Sequence, residues 1–93
     1  MTKIVIYGKA NCAFCKKAKL LLNDILDEVW RYEEPAEQFV KELKERTNQY
    51  TFPYIYFGDT FIGGFFELEY KYQRGLLYEI ATKERIKIKT ETI

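Results

Sequence analysis

Two cysteines separated by two residues are the side chains best suited to chemistry in this 93-residue sequence. Cys12 and Cys15 are its only cysteines, and the absence of histidine excludes an imidazole base, a histidine-based triad and a histidine-ligated zinc site. Two thiolates also fall short of the four ligands of a zinc or iron–sulfur site within one chain. The pair therefore serves thiol–disulfide exchange, contributes to a metal site completed by a second chain, or consists of two unrelated core thiols.

The composition is that of one folded domain. Hydrophobic residues make up 47% of the chain and aromatic residues 17%, which is enough apolar surface for a core. Basic and acidic residues number 15 and 14, so we expect no nucleic-acid partner and no membrane partner. We interpret residues 1–93 as a single domain and expect a monomer, with residues 82–93 as a C-terminal extension that is either an edge strand or frayed.

The location follows from the N-terminal stretch MTKIVIYGK. Its apolar run is far shorter than the roughly 20 residues needed to cross a membrane, and it has no signal-peptide cleavage pattern. We therefore expect a cytoplasmic protein. In a reducing cytosol a Cys-x-x-Cys pair indicates redox or metal chemistry rather than a structural crosslink.

The hydrophobic pattern predicts alternating strands and helices. Strands are predicted over residues 3–7, 28–32, 54–57 and 60–62, and helices over 12–25, from Pro35 to Asn48, over 65–74, and in a short piece to about residue 81. Gly58-Asp59 predicts a tight hairpin turn, and Asn48 a left-handed helix end. The order β-α-β-α-β-β-α implies an α/β fold, with a four-stranded mixed sheet and helices on both faces.

The predicted elements place the cysteines at the start of a helix. Cys12 precedes the first helix and Cys15 lies in its first turn. The unpaired N–H groups and the positive dipole end stabilise an anion there by roughly 0.3–1 kcal/mol, which lowers the pKa of a thiol. Lys9 and Lys16 add positive potential. The pattern therefore predicts Cys12 as the more exposed, more acidic nucleophile and Cys15 as the thiol that resolves a mixed disulfide.

Three motifs, IYGKANCAFC, TFPYIYF and IGGFFEL, resemble the glutaredoxin family of the thioredoxin fold in their order and spacing. The resemblance runs from about residue 3 to residue 80. The residues that match the family's Lys-x-x-Cys-Pro-Tyr-Cys, Thr-Val-Pro and Gly-Gly patterns are Lys9, Cys12, Phe14, Cys15, Thr51-Phe52-Pro53 and Gly63-Gly64. The resemblance implies a glutathione-dependent thiol–disulfide oxidoreductase that reduces protein disulfides and glutathione mixed disulfides. By family analogy alone, ribonucleotide reductase is a protein partner.

The resemblance also implies where glutathione binds. Pro53 is expected to be cis and to face the disulfide, while Phe52 offers its N–H and C=O to the cysteine moiety of glutathione. The γ-glutamyl group is expected at Phe66 and Glu67, and the glycine carboxylate at Lys9. The full set of predicted binding residues is Tyr7, Lys9, Phe14, Phe52, Pro53, Gly64, Phe66 and Glu67.

These residues have structural interpretations as well. Without any binding role they would be a turn proline (Pro53), a bulge (Gly63-Gly64), a solvated lysine (Lys9), core aromatics (Tyr7 and Phe14) and a helix-start carboxylate (Glu67).

Several positions depart from the family pattern. Ala13 stands where the family usually has proline, and loss of that proline is associated with members that hold a [2Fe–2S] cluster between two subunits. Such a cluster, with Cys12 as the ligand and glutathione supplying further sulfurs, is the first alternative. Phe66 replaces a Ser or Asp, Glu67 a common Asp, and Val40 and Tyr50 a Gln and an Arg. We therefore expect weakened glutathione contacts, and the second alternative is a thioredoxin-like reductant recycled by a flavoprotein reductase.

Overall fold

A computed structural model describes residues 3–89. The elements are β1 Ile4–Tyr7, α1 Ala13–Ile25, β2 Trp30–Glu33, α2 Glu37–Thr47, β3 Tyr54–Phe57, β4 Thr60–Gly63, α3 Phe65–Gln73 and α4 Leu76–Lys83. The strands form one sheet in the order β2-β1-β3-β4, in which β1 runs parallel to β2 and antiparallel to β3, and β4 is antiparallel to β3. This is the mixed four-stranded sheet that the sequence predicts.

The alternation of side chains along β1 decides what covers each face of the sheet. Ile4 and Ile6 are fully buried and belong to the main core, together with residues of α1, α3 and α4. Tyr7 points to the other face, where its ring packs edge-on against Phe39 of α2 at 5.1 Å between centroids. Helices therefore cover both faces, as predicted.

Three turn residues take the left-handed backbone that their positions require. Asn48 has φ 61° at the end of α2, as predicted. Gly58 has φ 60° in the hairpin between β3 and β4, and Gly75 has φ 76° between α3 and α4. The turn chemistry that is visible in the sequence therefore sets these chain reversals.

Two predicted boundaries are wrong by about two residues. β2 begins at Trp30 rather than at residue 28, because the stretch before it bonds to the C-terminal segment: Leu26 bridges Ile88, and the Glu28 carboxylate accepts the Lys87 N–H. α2 begins at Glu37 rather than at Pro35, because Ala36 is extended with ψ 155°.

The chain after α4 packs back on the core. Ile86 and Ile88 are buried, and the Lys89 N–H donates to the Ile25 carbonyl at 2.8 Å. Of the predicted extension over residues 82–93, residues 90–93 lie outside the described part of the chain. Within residues 3–89, no helix has the length and apolar character needed to cross a bilayer.

Within residues 3–89, three tyrosines that are partly or fully buried have a perturbed pKa. Loss of solvent raises the pKa of Tyr32, Tyr54 and Tyr56 above the ordinary value of 10.0. The charge of Glu34 adds to the effect at Tyr32, whereas Arg46 opposes it at Tyr56. All three hydroxyls therefore stay protonated at a pH where those of the unfolded chain have begun to ionise.

This difference predicts a loss of stability in alkali. Because the folded state holds more protons than the unfolded state above about pH 10, the free energy of unfolding is expected to fall as the pH rises through the folded pKa values. Urea denaturation over this range measures the slope. Tyr54→Phe has no phenolic proton to lose and is expected to flatten the slope, although it lowers stability at every pH. Equal slopes for the two proteins would contradict the assignment.

Candidate active site

The register of the sheet brings three loops to one of its ends. Tyr7, the last residue of β1, pairs with Tyr54, the first residue of β3, and Ile55 next to it pairs with Gly63 at the end of β4. The loop that carries Cys12, the loop that carries Pro53 and the start of α3 therefore leave the sheet at the same end.

Cys12 and Cys15 form a disulfide with their Cα atoms 5.2 Å apart. Cys12 is the extended N-cap of α1, and the Cys15 N–H donates to the Cys12 sulfur at 3.1 Å. The predicted order is confirmed, since Cys12 lies just before the helix and Cys15 in its first turn. Cys12 is 8% exposed and Cys15 1%, so Cys12 is the more accessible of the two residues.

The loop before Cys12 is held by Tyr32 of β2. The Tyr32 hydroxyl donates to the Lys9 carbonyl at 3.2 Å. A Cβ atom at Gly8 would lie only 2.4 Å from that hydroxyl oxygen, so a glycine is needed for this approach. Asn11 then takes the left-handed region at φ 56° immediately before Cys12. Sequence reasoning missed Tyr32, because the contact joins residues on different elements.

The bond between Phe52 and Pro53 is cis, as predicted. The Lys9 ammonium lies 5.5 Å from the centre of the Phe52 ring, so the cysteine loop and the proline loop are in contact. Within residues 3–89, no hydrogen bond joins the N–H or the C=O of Phe52 to another group. The predicted peptide-pairing edge is therefore free of protein partners.

The two glycines before α3 let Glu67 fold back over the helix start. Gly63 has φ 125°, and a Cβ atom there would lie 2.6 Å from the Glu67 Cβ. The Glu67 carboxylate accepts the Gly64 N–H at 2.8 Å and so caps the helix. The structural interpretation of Glu67 therefore holds, with its negative charge kept at the start of α3.

Phe14, Phe65 and Phe66 form an aromatic patch across the starts of α1 and α3. The Phe14 ring lies 5.0 Å from Phe66 and 6.2 Å from Phe65. Phe14 is 40% exposed and Phe66 60%, so neither is a core residue. The Lys17 ammonium lies 5.3 Å from the centre of the Phe14 ring and brings positive charge to the patch.

The remaining predicted positions lie elsewhere. Tyr7 is half-buried on the face that α2 covers, where it lines a cleft of about 350 Å³ with Phe39 and Tyr56. Val40 is half-buried on α2, and Tyr50 is 68% exposed in the loop that follows it. Binding by Tyr7, like the roles of the other predicted binding residues, stays a prediction.

Gln49 is a second residue that sequence reasoning missed. Its side-chain amide donates to the carbonyls of Thr51 and Pro53, at 2.7 and 2.8 Å. Its sequence signal is weak, since it is a polar residue in a loop. The amide fixes the backbone on both sides of Phe52.

Metal binding finds no support within the single chain. In the part of the chain that the structure describes, no group of three or more His, Cys, Asp or Glu side chains is placed to hold a metal ion. The iron–sulfur alternative therefore has no observation in its favour.

Comparisons with known proteins agree with the geometry. A family model described as Glutaredoxin matches residues 4–62. The chain is similar in structure to the holo form of glutaredoxin C1 from Populus tremula x tremuloides, with 24% identity, a TM-score of 0.79, and coverage of 97% of this chain and 85% of that one. A buckwheat glutaredoxin–glutathione complex has 24% identity and a TM-score of 0.78, with coverage of 90% of this chain and 80% of that one. A glutaredoxin from Brucella melitensis has 26% identity and a TM-score of 0.71, with coverage of 86% of this chain and 88% of that one. No curated protein gives a significant match.

The matched region spans more than half of the chain and includes the cysteine pair, the cis proline and three of the four strands in full. The solved structures share the thioredoxin-like arrangement of a four-stranded mixed sheet with helices on both faces. The chain therefore belongs to the glutaredoxin family, and the Cys12–Cys15 pair at the start of α1 identifies it as a thiol–disulfide oxidoreductase.

Proposed function

We propose that this oxidoreductase uses glutathione to reduce glutathione mixed disulfides and protein disulfides. The observation that carries the proposal is the position of Cys12 at the N-cap of α1, with the Cys15 N–H on its sulfur. After reduction, the same N–H and the helix dipole stabilise the Cys12 thiolate, which is the attacking species. Cys15, one turn further along, is within reach of any sulfur bonded to Cys12.

The reaction proceeds by exchange at sulfur. The Cys12 thiolate attacks a glutathione mixed disulfide, the target leaves as a thiolate, and glutathione stays on Cys12. A second glutathione thiolate attacks the bound glutathione sulfur, which releases oxidised glutathione and restores Cys12. With a protein disulfide, the Cys12 thiolate attacks one sulfur of the target and forms a mixed disulfide, in which the other target sulfur is a free thiolate. The Cys15 thiolate then attacks the Cys12 sulfur, which forms the Cys12–Cys15 bond and releases the target as a dithiol. Two glutathiones reduce the Cys12–Cys15 bond and leave as oxidised glutathione.

The free backbone edge of Phe52 supports a glutathione site. An extended peptide pairs with an N–H and a C=O of this kind as a short added strand. Lys9, above the Phe52 ring, has an ammonium group for the glycine carboxylate. Backbone N–H groups in the first turn of α3 can donate to the γ-glutamyl carboxylate in place of the side chain that Phe66 lacks. The Glu67 carboxylate, at the same helix start, attracts the γ-glutamyl amine. The similar buckwheat glutaredoxin has been solved as a complex with glutathione, which supports the same ligand here.

The aromatic patch supports protein disulfides as a second substrate class. An exposed group of rings beside a reactive disulfide fits an apolar segment of a protein, because burying those rings stabilises the encounter. A cytoplasmic location, a monomeric state and ribonucleotide reductase as a target stay predictions.

The cysteine roles are tested with a coupled glutathione assay on a glutathione–cysteine mixed disulfide. Cys12→Ser is expected to be inactive, because it removes the nucleophile. Cys15→Ser is expected to keep turnover on this substrate and to lose it on protein disulfides, which need the second thiol. The reverse pattern would contradict the assignment. A wild type that a flavoprotein reductase recycles, and that glutathione does not, would favour the thioredoxin-like alternative.

The aromatic patch is tested with Phe66→Ala, which removes the ring without adding the hydroxyl group that the family pattern has at this position. With insulin as a protein disulfide, kcat/KM is expected to fall roughly tenfold, since about 1.5–3 kcal/mol of apolar burial is available from a phenylalanine. Turnover of the small mixed disulfide is expected to change much less.

The matched control is Val29→Ala, which replaces a side chain that is 79% exposed just before β2, at the other end of the sheet. It is expected to leave both activities unchanged. Equal losses on the two substrates in Phe66→Ala would remove the argument for a docking surface.

A further inference from the structure

Gln49 lies half-buried in the loop between α2 and β3 and spans the turn that carries the cis proline. Its side-chain nitrogen donates to the Thr51 carbonyl at 2.7 Å and to the Pro53 carbonyl at 2.8 Å. An amide NH₂ group has two hydrogens, and here each one has an acceptor. The two carbonyls belong to the peptide groups that join Thr51 to Phe52 and Pro53 to Tyr54, so one side chain fixes the backbone on both sides of the cis Phe52–Pro53 bond.

Gln49 is itself held on both sides. Its main-chain carbonyl accepts a hydrogen bond from the hydroxyl of Tyr54 at 2.7 Å, and Tyr54 is fully buried on β3. Its main-chain N–H donates to the Thr47 hydroxyl oxygen at 3.1 Å. That hydroxyl in turn donates to the Leu43 carbonyl in the last turns of α2. The main chain at Gln49 is therefore anchored to α2 and to β3, and the side-chain amide and the proline loop take their positions from both.

These hydrogen bonds leave the main-chain N–H and C=O of Phe52 available for a substrate. Both neighbouring carbonyls are taken by Gln49, whereas the N–H and C=O of Phe52 have no partner within residues 3–89. The loop also lies against the start of α3, since a Cβ atom at Gly64 would be 3.4 Å from the Pro53 oxygen and 3.6 Å from the Gln49 nitrogen. The position of this one amide therefore affects both backbone elements to which a peptide substrate would bind.

We propose that Gln49 is a positioning residue that holds the cis-proline loop in the geometry that pairs with substrate. It acts through the peptide groups on either side of the cis Phe52–Pro53 bond and does not touch the reacting sulfurs. The inference rests on the proposed function, in which an extended glutathione or protein segment pairs with Phe52. It assigns to this chain a specific requirement for two hydrogen-bond donors at position 49.

The requirement for donors is tested by two substitutions that keep the size of the side chain. Gln49→Met removes both donors without adding charge, and Gln49→Glu directs carboxylate oxygens at two carbonyl oxygens. Loss of these bonds is expected to lower kcat/KM for a glutathione–cysteine mixed disulfide roughly tenfold in Gln49→Met, and by more in Gln49→Glu. Below about pH 5 the introduced carboxyl of Gln49→Glu gains a proton and with it one hydrogen-bond donor. The difference in kcat/KM between this variant and wild type is therefore expected to be smaller there than at neutral pH.

Alkylation of Cys12 by iodoacetamide in the reduced proteins distinguishes positioning from general damage. This small reagent does not use the proline loop, so its rate is expected to be the same in wild type and in both variants. Gln38→Glu, an exposed change of the same kind on α2, is the matched control and is expected to behave as wild type.

Two results would overturn the proposal. One is wild-type kcat/KM in both variants. The other is a loss in kcat/KM that the alkylation rate matches, because it would report a damaged cysteine loop. Failure of the proposed function has a different signature, since the wild type itself would then not turn over the mixed disulfide with glutathione.

Discussion

The antiparallel pairing of β1 with β3 is the constraint on which the site depends. Because Tyr7 is opposite Tyr54, the chain that leaves β1 and the chain that enters β3 meet at one end of the sheet. The first carries the cysteines and the second the cis proline, and Lys9 reaches across to Phe52. Gly63 at the end of β4 adds the start of α3 to the same place. A shift of this register by one residue would move Tyr7 to the core face and separate the loops.

In the proposed function, the start of α1 determines which sulfur reacts. Cys12 lies outside the helix with the Cys15 N–H directed at it, whereas Cys15 is almost completely buried. The helix dipole favours negative charge at Cys12 by about 0.3–2 kcal/mol, and no histidine is needed to remove the proton. Ala13, at the first position of α1, leaves in place an N–H that a proline there would remove. The two sulfurs are therefore chemically different although they lie one helical turn apart.

The sequence predicts the features that depend on local chemistry. The helix start at the cysteine pair, the Gly58 turn and the Asn48 helix end follow from residue types at fixed spacing, and the family resemblance predicts the cis proline. The structure adds contacts between residues distant in sequence, such as Tyr32 on the Lys9 carbonyl and Leu26 on Ile88. Hydrophobic periodicity does not reveal such contacts, so the predicted start of β2 lies two residues too early. Gln49 was missed for a related reason, since its role depends on the folded shape of the loop.

The reactivity of the two thiols in the reduced protein tests the central claim most directly. Brief treatment with iodoacetamide near neutral pH, followed by peptide mass spectrometry, measures the alkylation rate of each cysteine. The account predicts that Cys12 reacts faster than a cysteine in an unstructured peptide and that Cys15 stays unmodified until the protein is denatured. Alkylation of Cys15 first, or of both cysteines at the rate of the unstructured peptide, would contradict the assignment of Cys12 as a nucleophile activated by the start of α1.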